Sequence, residues 1–331
     1  MDNVKSVCVT GGAGYVGSAL VPGLLADGYK VTVLDLYLYG QEALAACRGN
    51  PALTEVAGDI RDTALLRRVL PGHDAVIHLA CISNDPSYEL NPALGKSINY
   101  DAFPPLVAAS KAAGVRRFLY ASSSSVYGIK DDAEVTEDLP LAPLTDYSRY
   151  KALCEDYLHA AGGEGFTVTT LRPSTVCGYA PRLRLDLTVN ILTSHALGKG
   201  VITVFGGGQK RPNLHIDDMA DVYRQLLKEP ARRIHDKIYN VGYQNYTVRE
   251  IAEIVRRTLG GDIAVTVTPS NDNRSYHVNA DKIRRELGYA PTRTLEDAVL
   301  GLQRAFAGGL IPDPDDIKYS NIKTMRHANL A

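Results

Sequence analysis

The chain has 331 residues, with 36 Lys+Arg against 37 Asp+Glu and a formal net charge of -1. It can bury a sizeable core in one or two domains, and it has no basic surplus for phosphates, which excludes nucleic acid as the main partner. Five scattered cysteines (8, 47, 81, 154 and 177) contain no C-x-x-C pair, which fits reduced thiols in a cytoplasmic protein and neither a disulfide framework nor a metal site.

The first predicted strand, around Val7-Cys8-Val9, starts so early that no room is left for a signal peptide, and no apolar run is long enough to cross a membrane. The strand leads into Thr10-Gly-Gly-Ala-Gly-Tyr-Val-Gly17 and then the apolar face of a helix. A glycine loop in that position lets the chain turn tightly and lets a pyrophosphate reach the amides at a helix N-terminus. Glycines 12, 14 and 17 fit the Gly-x-Gly-x-x-Gly spacing, and glycines 11, 14 and 17 fit a wider one. The confirming context is a second strand ending in an acid about twenty residues on. Val31-Thr-Val-Leu-Asp35 supplies it. Asp35 is placed to accept both hydroxyls of an adenosine ribose and to repel a 2′-phosphate, which favours NAD over NADP. Pro22-Gly23 inside the first helix predicts a bend.

The alternation of strands and helices continues, and it implies a parallel sheet with helices on both faces. A third strand ends near Val56-Ala-Gly-Asp59-Ile60 and is followed by a helix from Thr63 to Val69. Asp59 either bonds an adenine amino group or caps that helix. Ala75-Val-Ile-His78-Leu79-Ala80 reads as a buried strand with His78 as a core residue. The loop after it puts Ser83 and Asn84 at a carboxyl strand end, where such sheets bind ligands. A helical pattern runs from Asn99 to about Ala113, and the basic pairs Arg116-Arg117 and Arg232-Arg233 read as solvated faces.

The next strand, Arg117 to Ala121, empties into the serine run Ser122–Ser125 before Val126-Tyr-Gly128. Those hydroxyls either bond a substrate oxygen or satisfy loop amides. Tyr147 and Lys151 follow at i and i+4 on one helix face. A phenol of pKa about 10 is a poor base at neutral pH, and a lysine ammonium with a cationic nicotinamide nearby would favour the phenolate. Beyond Thr175 the chain leaves the sheet, and Gly206-Gly-Gly208 reads as a turn. A helix is predicted from Asp217 to Leu227, a returning strand from Lys237 to Val241, and a helix with a capping box from Thr247 to Leu259. The tail from Pro312 has no predicted role.

Taken together, the glycine loop, Gly58-Asp59-Ile60, His78-Leu79-Ala80, the serines before Val126-Tyr127-Gly128, Tyr147 with Lys151, Leu171-Arg172-Pro173 and Arg211 to Asp218 resemble the extended short-chain dehydrogenase/reductases, in particular the nucleotide-sugar epimerases. The resemblance spans roughly residues 4 to 300 and implies a Rossmann-type doubly wound α/β fold with a smaller C-terminal substrate-binding lobe. Residues 1–174 with 213–241 would form the NAD-binding domain, and 175–212 with 242–331 the lobe. It implies that Gly11, Gly14, Tyr15, Val16, Gly17, Asp35, Asp59, Ile60, Leu79, Ala80, Tyr147, Lys151 and Pro173 hold NAD. Tyr147 would be the acid/base, Lys151 would tune it and hold the nicotinamide ribose, and Ser123 would be the catalytic hydroxyl. Ser83, Ser124, Thr175, Asn190, Arg211 and Arg274 would contact a nucleotide-diphosphate sugar, with Arg211 on the diphosphate. A homodimer through the helices after Asn99 and Tyr147 is also implied. Dehydratases of this family carry an Asp-Glu pair where this chain has Ser124-Ser125, so the resemblance points to epimerisation at C4, through a transient 4-keto sugar. Net oxidation or reduction by the same residues, or a non-catalytic NAD-binding protein, are the alternatives.

Overall fold

The computed structural model describes residues 4–130, 132–270, 275 and 277–330. Its centre is a seven-stranded, wholly parallel sheet. The strands β1 (Ser6–Thr10), β2 (Lys30–Asp35), β3 (Leu53–Ala57), β4 (Ala75–His78), β5 (Arg117–Ala121) and β6 (Thr167–Pro173) come from the first half. Two further strands, β7 (Thr175–Cys177) and β8 (Val201–Phe205), and then β9 (Lys210–His215), lie outside it, before β10 (Lys237–Val241) returns to its edge. The order is β10-β6-β5-β4-β1-β2-β3. Sequence neighbours step one way from β1 to β3 and the other way from β4 to β6. The direction therefore reverses between β1 and β4, and doubly wound sheets open a crevice at such a point, beyond the carboxyl ends of the strands.

The strands are apolar on both faces, as parallel strands covered by helices must be. Side chains alternate, so Val7 and Val9 join the layer of Leu20, Leu24 and Tyr223, while Cys8 joins Leu66, Phe103 and Phe118 on the other side. The Tyr15–Ala26 helix runs unbroken through Pro22. Gly23 lets it lie against a second helix, Ile216–Lys228, because a Cβ there would come within 3.0 Å of the Arg224 side chain.

Past β6 the chain builds a smaller unit. Here β9 lies between β7 and β11 (Gln244–Thr247), and β8 pairs with β12 (Ala264–Thr268). The helices Thr188–Lys199, Val248–Leu259 and Leu295–Ala307 cover them with a core that includes Val189, Leu192, Ile251 and Val299. The Thr247 capping box is present. Two segments inside 242–331 pack against the large sheet instead. Ile283 and Leu287 join the Leu20 layer, and Met325 of the helix Asn321–His327 is buried in the Phe103 layer. No described helix is long and apolar enough to cross a membrane.

Arg117 departs from its expected solvated position. It is 1% exposed, and its guanidinium donates to the carbonyls of Leu226 and Glu229 at the end of the Ile216–Lys228 helix. Terminal carbonyls of a helix lack intrahelical donors, and a cation there also meets the negative end of the dipole.

Candidate active site

A cleft of about 400 Å³ opens at the reversal point. At one end lies the glycine loop. Gly11 has φ +74, and a Cβ on it would sit 2.5 Å from the Ala80 amide nitrogen, while a Cβ on Gly17 would sit 2.4 Å from the Gly12 carbonyl oxygen. Glycines 11, 14 and 17 line the cleft, so the wider spacing is the one that carries the loop. The helix that starts at Tyr15 has no side-chain cap and no acid in its first turn. Its first amides are therefore open to an anion.

Asp35 lines the same end, and it accepts from the Ala13 amide at 2.9 Å and the Tyr37 amide at 2.8 Å. Burial pushes its carboxyl above the usual range, and those amides oppose the shift. Tyr15, Val16, Ile60, Leu79, Ala80 and Pro173 complete this part of the wall. An uncapped helix start, a cradle closed to any Cβ and a fixed acid at the end of β2 fit a dinucleotide.

Asp59 is placed differently. Its carboxylate is clasped by Arg61, at 2.6 Å, and it accepts from the Arg61 amide. The helix cap is Asp62, which accepts from Leu65 N. Asp59 is not on the cleft wall, while its neighbours Gly58 and Ile60 are.

The other end is built on the helix Asp146–Ala161, started by a capping box between Thr145 and Ser148. Tyr147, Lys151 and Glu155 share its buried face, at steps of four. Lys151 donates to the Ala121 carbonyl at 2.6 Å, and its nitrogen lies 5.9 Å from the centre of the Tyr147 ring. Burial raises the Tyr147 phenol far above the ordinary range, with Cys81 and Asp85 adding to it, and the Arg184 charge opposes. Below them Glu155 forms a buried ion pair with Arg172 of β6, at 2.6 Å, and accepts from Ser122 Oγ.

Ser123 to Ser125 face the tyrosine end of the cleft. Ser123 Oγ lies 2.8 Å from Ser125 Oγ and accepts from the Ser125 amide. At the end of the short helix that holds Ser124 and Ser125, Tyr127 donates to Asn240 Oδ1 and accepts from Arg172. His78 is a core residue, 2.7 Å from Thr10 Oγ1 and stacked on Tyr120. Burial and the Lys151 charge pull it down to about 3.

Ser83, Ser124, Thr175 and Arg211 stand on the cleft wall. Asn190 does not. Its amide accepts from Gly178 N and donates to Tyr15 Oη and to the carbonyls of Gly178 and Arg184, so all its capacity is used inside the protein and it shapes the wall from behind. Arg274 lies outside the described residues. The sequence reading missed Arg182, Arg184, Tyr39, Cys81 and Asn321, all of which line the cleft. A Tyr-x-x-x-Lys-x-x-x-Glu step was readable for Glu155. No local pattern announced the others.

Residues 7–242 match the model of the NAD dependent epimerase/dehydratase family. The chain belongs to this family. Among curated proteins it is similar to a UDP-glucose 4-epimerase of Lactobacillus helveticus, 31% identical over 89% of this chain and 94% of that one. A dTDP-glucose 4,6-dehydratase of Streptomyces griseus is 31% identical over 88% of this chain and 90% of that one. Among solved structures, a dTDP-glucose 4,6-dehydratase of Streptomyces venezuelae with NAD bound superposes with a TM-score of 0.82 at 29% identity, covering 92% of this chain and 98% of that one. This family member has the Rossmann-type fold and is an NAD-dependent enzyme, and the relatives named above act on nucleotide sugars.

Proposed function

We propose that the protein is an NAD-dependent nucleotide-sugar C4 epimerase. The observation that carries this is the company of Tyr147: Lys151 on its own helix face, Ser123 lining the same cleft, and serines rather than carboxylic acids after Ser123. Removing water from C5–C6 of a sugar needs an acid placed to protonate the leaving hydroxyl. The carboxylates on the cleft wall are Asp35, at the ribose end, and Asp85, which accepts from Thr145 Oγ1. Neither occupies the positions after Ser123.

The glycine loop, the open amides of the Tyr15–Ala26 helix and Asp35 would hold NAD, which would supply reversible hydride chemistry at C4. The residues do the rest. Tyr147 takes the proton of the C4 hydroxyl and returns it after the 4-keto sugar has turned over. The Lys151 ammonium, beside its ring, and the Arg184 charge favour the phenolate that burial opposes. Ser123 donates to the reacting oxygen, and Arg211 of β9 clamps the diphosphate, a role suited to a guanidinium fork.

Two copies would associate through the Phe103–Ala112 and Asp146–Ala161 helices, where Leu153 and Tyr157 are 38% and 39% exposed, and five free thiols suit a reducing cytoplasm. The test is to denature purified protein with nothing added and identify what it releases by mass spectrometry. Near-stoichiometric NAD is expected, because an epimerase regenerates it in place. Protein that is empty, and that converts added cofactor in proportion to substrate, is a net oxidoreductase.

A further inference from the structure

Four described residues other than glycine have a positive φ: Tyr37, Asn84, Asp236 and Asn329. Asn84 is the one among them that lines the cleft. Its φ of 69° comes with a ψ of 157°, a combination almost confined to glycine, because a Cβ there crowds the backbone. Other residues adopt it only where their surroundings over-determine it, and such positions gather at active sites.

Asn84 is fixed from both sides. After it comes the short helix Asp85–Tyr88, which starts on Asn84 itself. The Asn84 side-chain oxygen accepts from the Ser87 amide at 3.0 Å, and its carbonyl accepts from the Tyr88 amide at 3.1 Å. Asp85 accepts from Thr145 Oγ1 at 2.5 Å, and Thr145 caps the helix that carries Tyr147. The Tyr88 ring meets the Tyr147 ring edge-on, with centroids 6.4 Å apart. Before Asn84, Ser83 Oγ accepts from Arg184 Nη1 at 3.2 Å and from the Asn321 side-chain amide at 2.9 Å. Asn321 opens the strap Asn321–His327 and brackets two arginines. Its backbone amide donates to Asp186, the partner of Arg184, and its side-chain oxygen accepts from Arg182 at the cofactor end.

Both oxygens of Asn84 are thus turned to the short helix, and its amide N–H donates to the Tyr147 phenol oxygen. Burial, then Cys81 and Asp85, raise that phenol, while Arg184 and this donated bond oppose them. A donor favours the phenolate, because the charged oxygen is the better acceptor. The φ of residue 84 sets the plane of the peptide that carries the N–H. We propose that Asn84 is a positioning residue for Tyr147: its positive-φ backbone, locked through Ser83, Asp85 and Ser87, aims its N–H at the phenol oxygen and favours the form that takes a proton from the substrate. This rests on the reading of Tyr147 as the acid/base.

The experiment records pH difference spectra in the phenolate band for NAD-loaded wild type, Asn84→Ala and Asn84→Gly, each against the same protein carrying Tyr147→Phe, so that the other tyrosines cancel. Alanine resists the positive φ and is expected to swing the amide away. The Tyr147 phenolate present at a fixed alkaline pH should then fall about tenfold, which is a midpoint about one pH unit higher. Glycine carries the positive φ without strain and is expected to restore the wild-type titration. A folded Asn84→Ala protein that titrates as wild type overturns the proposal. Equal loss in both variants also overturns it, because it puts the effect on the Asn84 side chain. The bond itself is read by nuclear magnetic resonance of protein with isotope-labelled asparagine amides and no change at residue 84. Tyr147→Phe removes the acceptor, so the Asn84 amide proton is expected to move upfield and to exchange faster with solvent. An amide that does neither overturns the proposal, even where Asn84→Ala fails to fold. None of these readings uses a sugar, so they stand apart from the epimerase reading, which a fully active Tyr147→Phe protein would sink.

Discussion

Tyr147 and Asp35 are single side chains whose surroundings set what each replacement should do. Tyr147→Phe keeps the ring and its packing and removes only the titrating oxygen. Turnover is expected to fall by about 10² to 10⁴, the usual contribution of a placed acid/base, while bound NAD is unchanged; stopped assays on the NAD-loaded variant check this, and a fully active variant would refute the assignment. Asp35 is held by two backbone amides, so Asp35→Asn keeps the position and loses the charge. The ratio of NADP to NAD dissociation constants is expected to drop about tenfold, read by fluorescence titration of cofactor-stripped protein. Both residues were legible because their signals are local: a strand-ending acid, and a lysine one helical turn from a tyrosine. Asp59 was open between two roles, and the structure removes one of them, because Asp62, three residues on, caps the helix while Asp59 pairs with Arg61.

The Asp146–Ala161 helix is stitched to the sheet by charge as well as by apolar packing. Glu155 and Arg172 are 2% and 3% exposed, and each is the other's counterion. Removing one partner leaves a buried unpaired charge, so Glu155→Gln is expected to lower unfolding free energy by about 3 to 5 kcal/mol, measured by denaturant melts. The double variant Glu155→Leu with Arg172→Met should recover most of that loss, since apolar pairs of similar volume often replace such bridges. A double variant as unstable as the single one would mean that Ser122 and Tyr127 hold the helix through these groups. Element types and order were readable through the first half, and so were the returning β10 and the helices either side of it, because each depends on short-range periodicity, whereas β7, β8, β9, β11, β12 and the helices Thr188–Lys199 and Leu295–Ala307 were not read. Arg117 shows where that stops: a charged strand residue looks solvated until a helix from a hundred residues on presents bare carbonyls to it.

Across the whole molecule, the sheet positions what the cleft uses, and its stability carries a pH signature. His78 is buried and neutral, with its proton taken up only near pH 3 rather than the ordinary 6.5. Between those values the unfolded chain binds the extra proton, so stability rises with pH through the window and is complete above about pH 6.5. The slope from this residue approaches about 1.4 kcal/mol per pH unit, and His78→Phe should remove it from denaturant melts taken between pH 4.5 and 7. An unchanged slope would place the acid sensitivity elsewhere. The fold was readable because alternating strands and helices admit few arrangements. The tyrosine end of the cleft was less so: Ser83, Arg184 and Asn321 are separated by more than a hundred residues at each step, and only the closed chain brings them to one point.

The Asn321 strap also orders events on the ribosome. Gly11, Asp35 and Tyr147 are all translated long before residue 321, so an emerging chain can gather its cofactor end while Arg182 and Arg184 still lack their bracket. A nascent chain that has reached only residue 311 lacks the bonds that Asn321 makes to Asp186, Ser83 and Arg182.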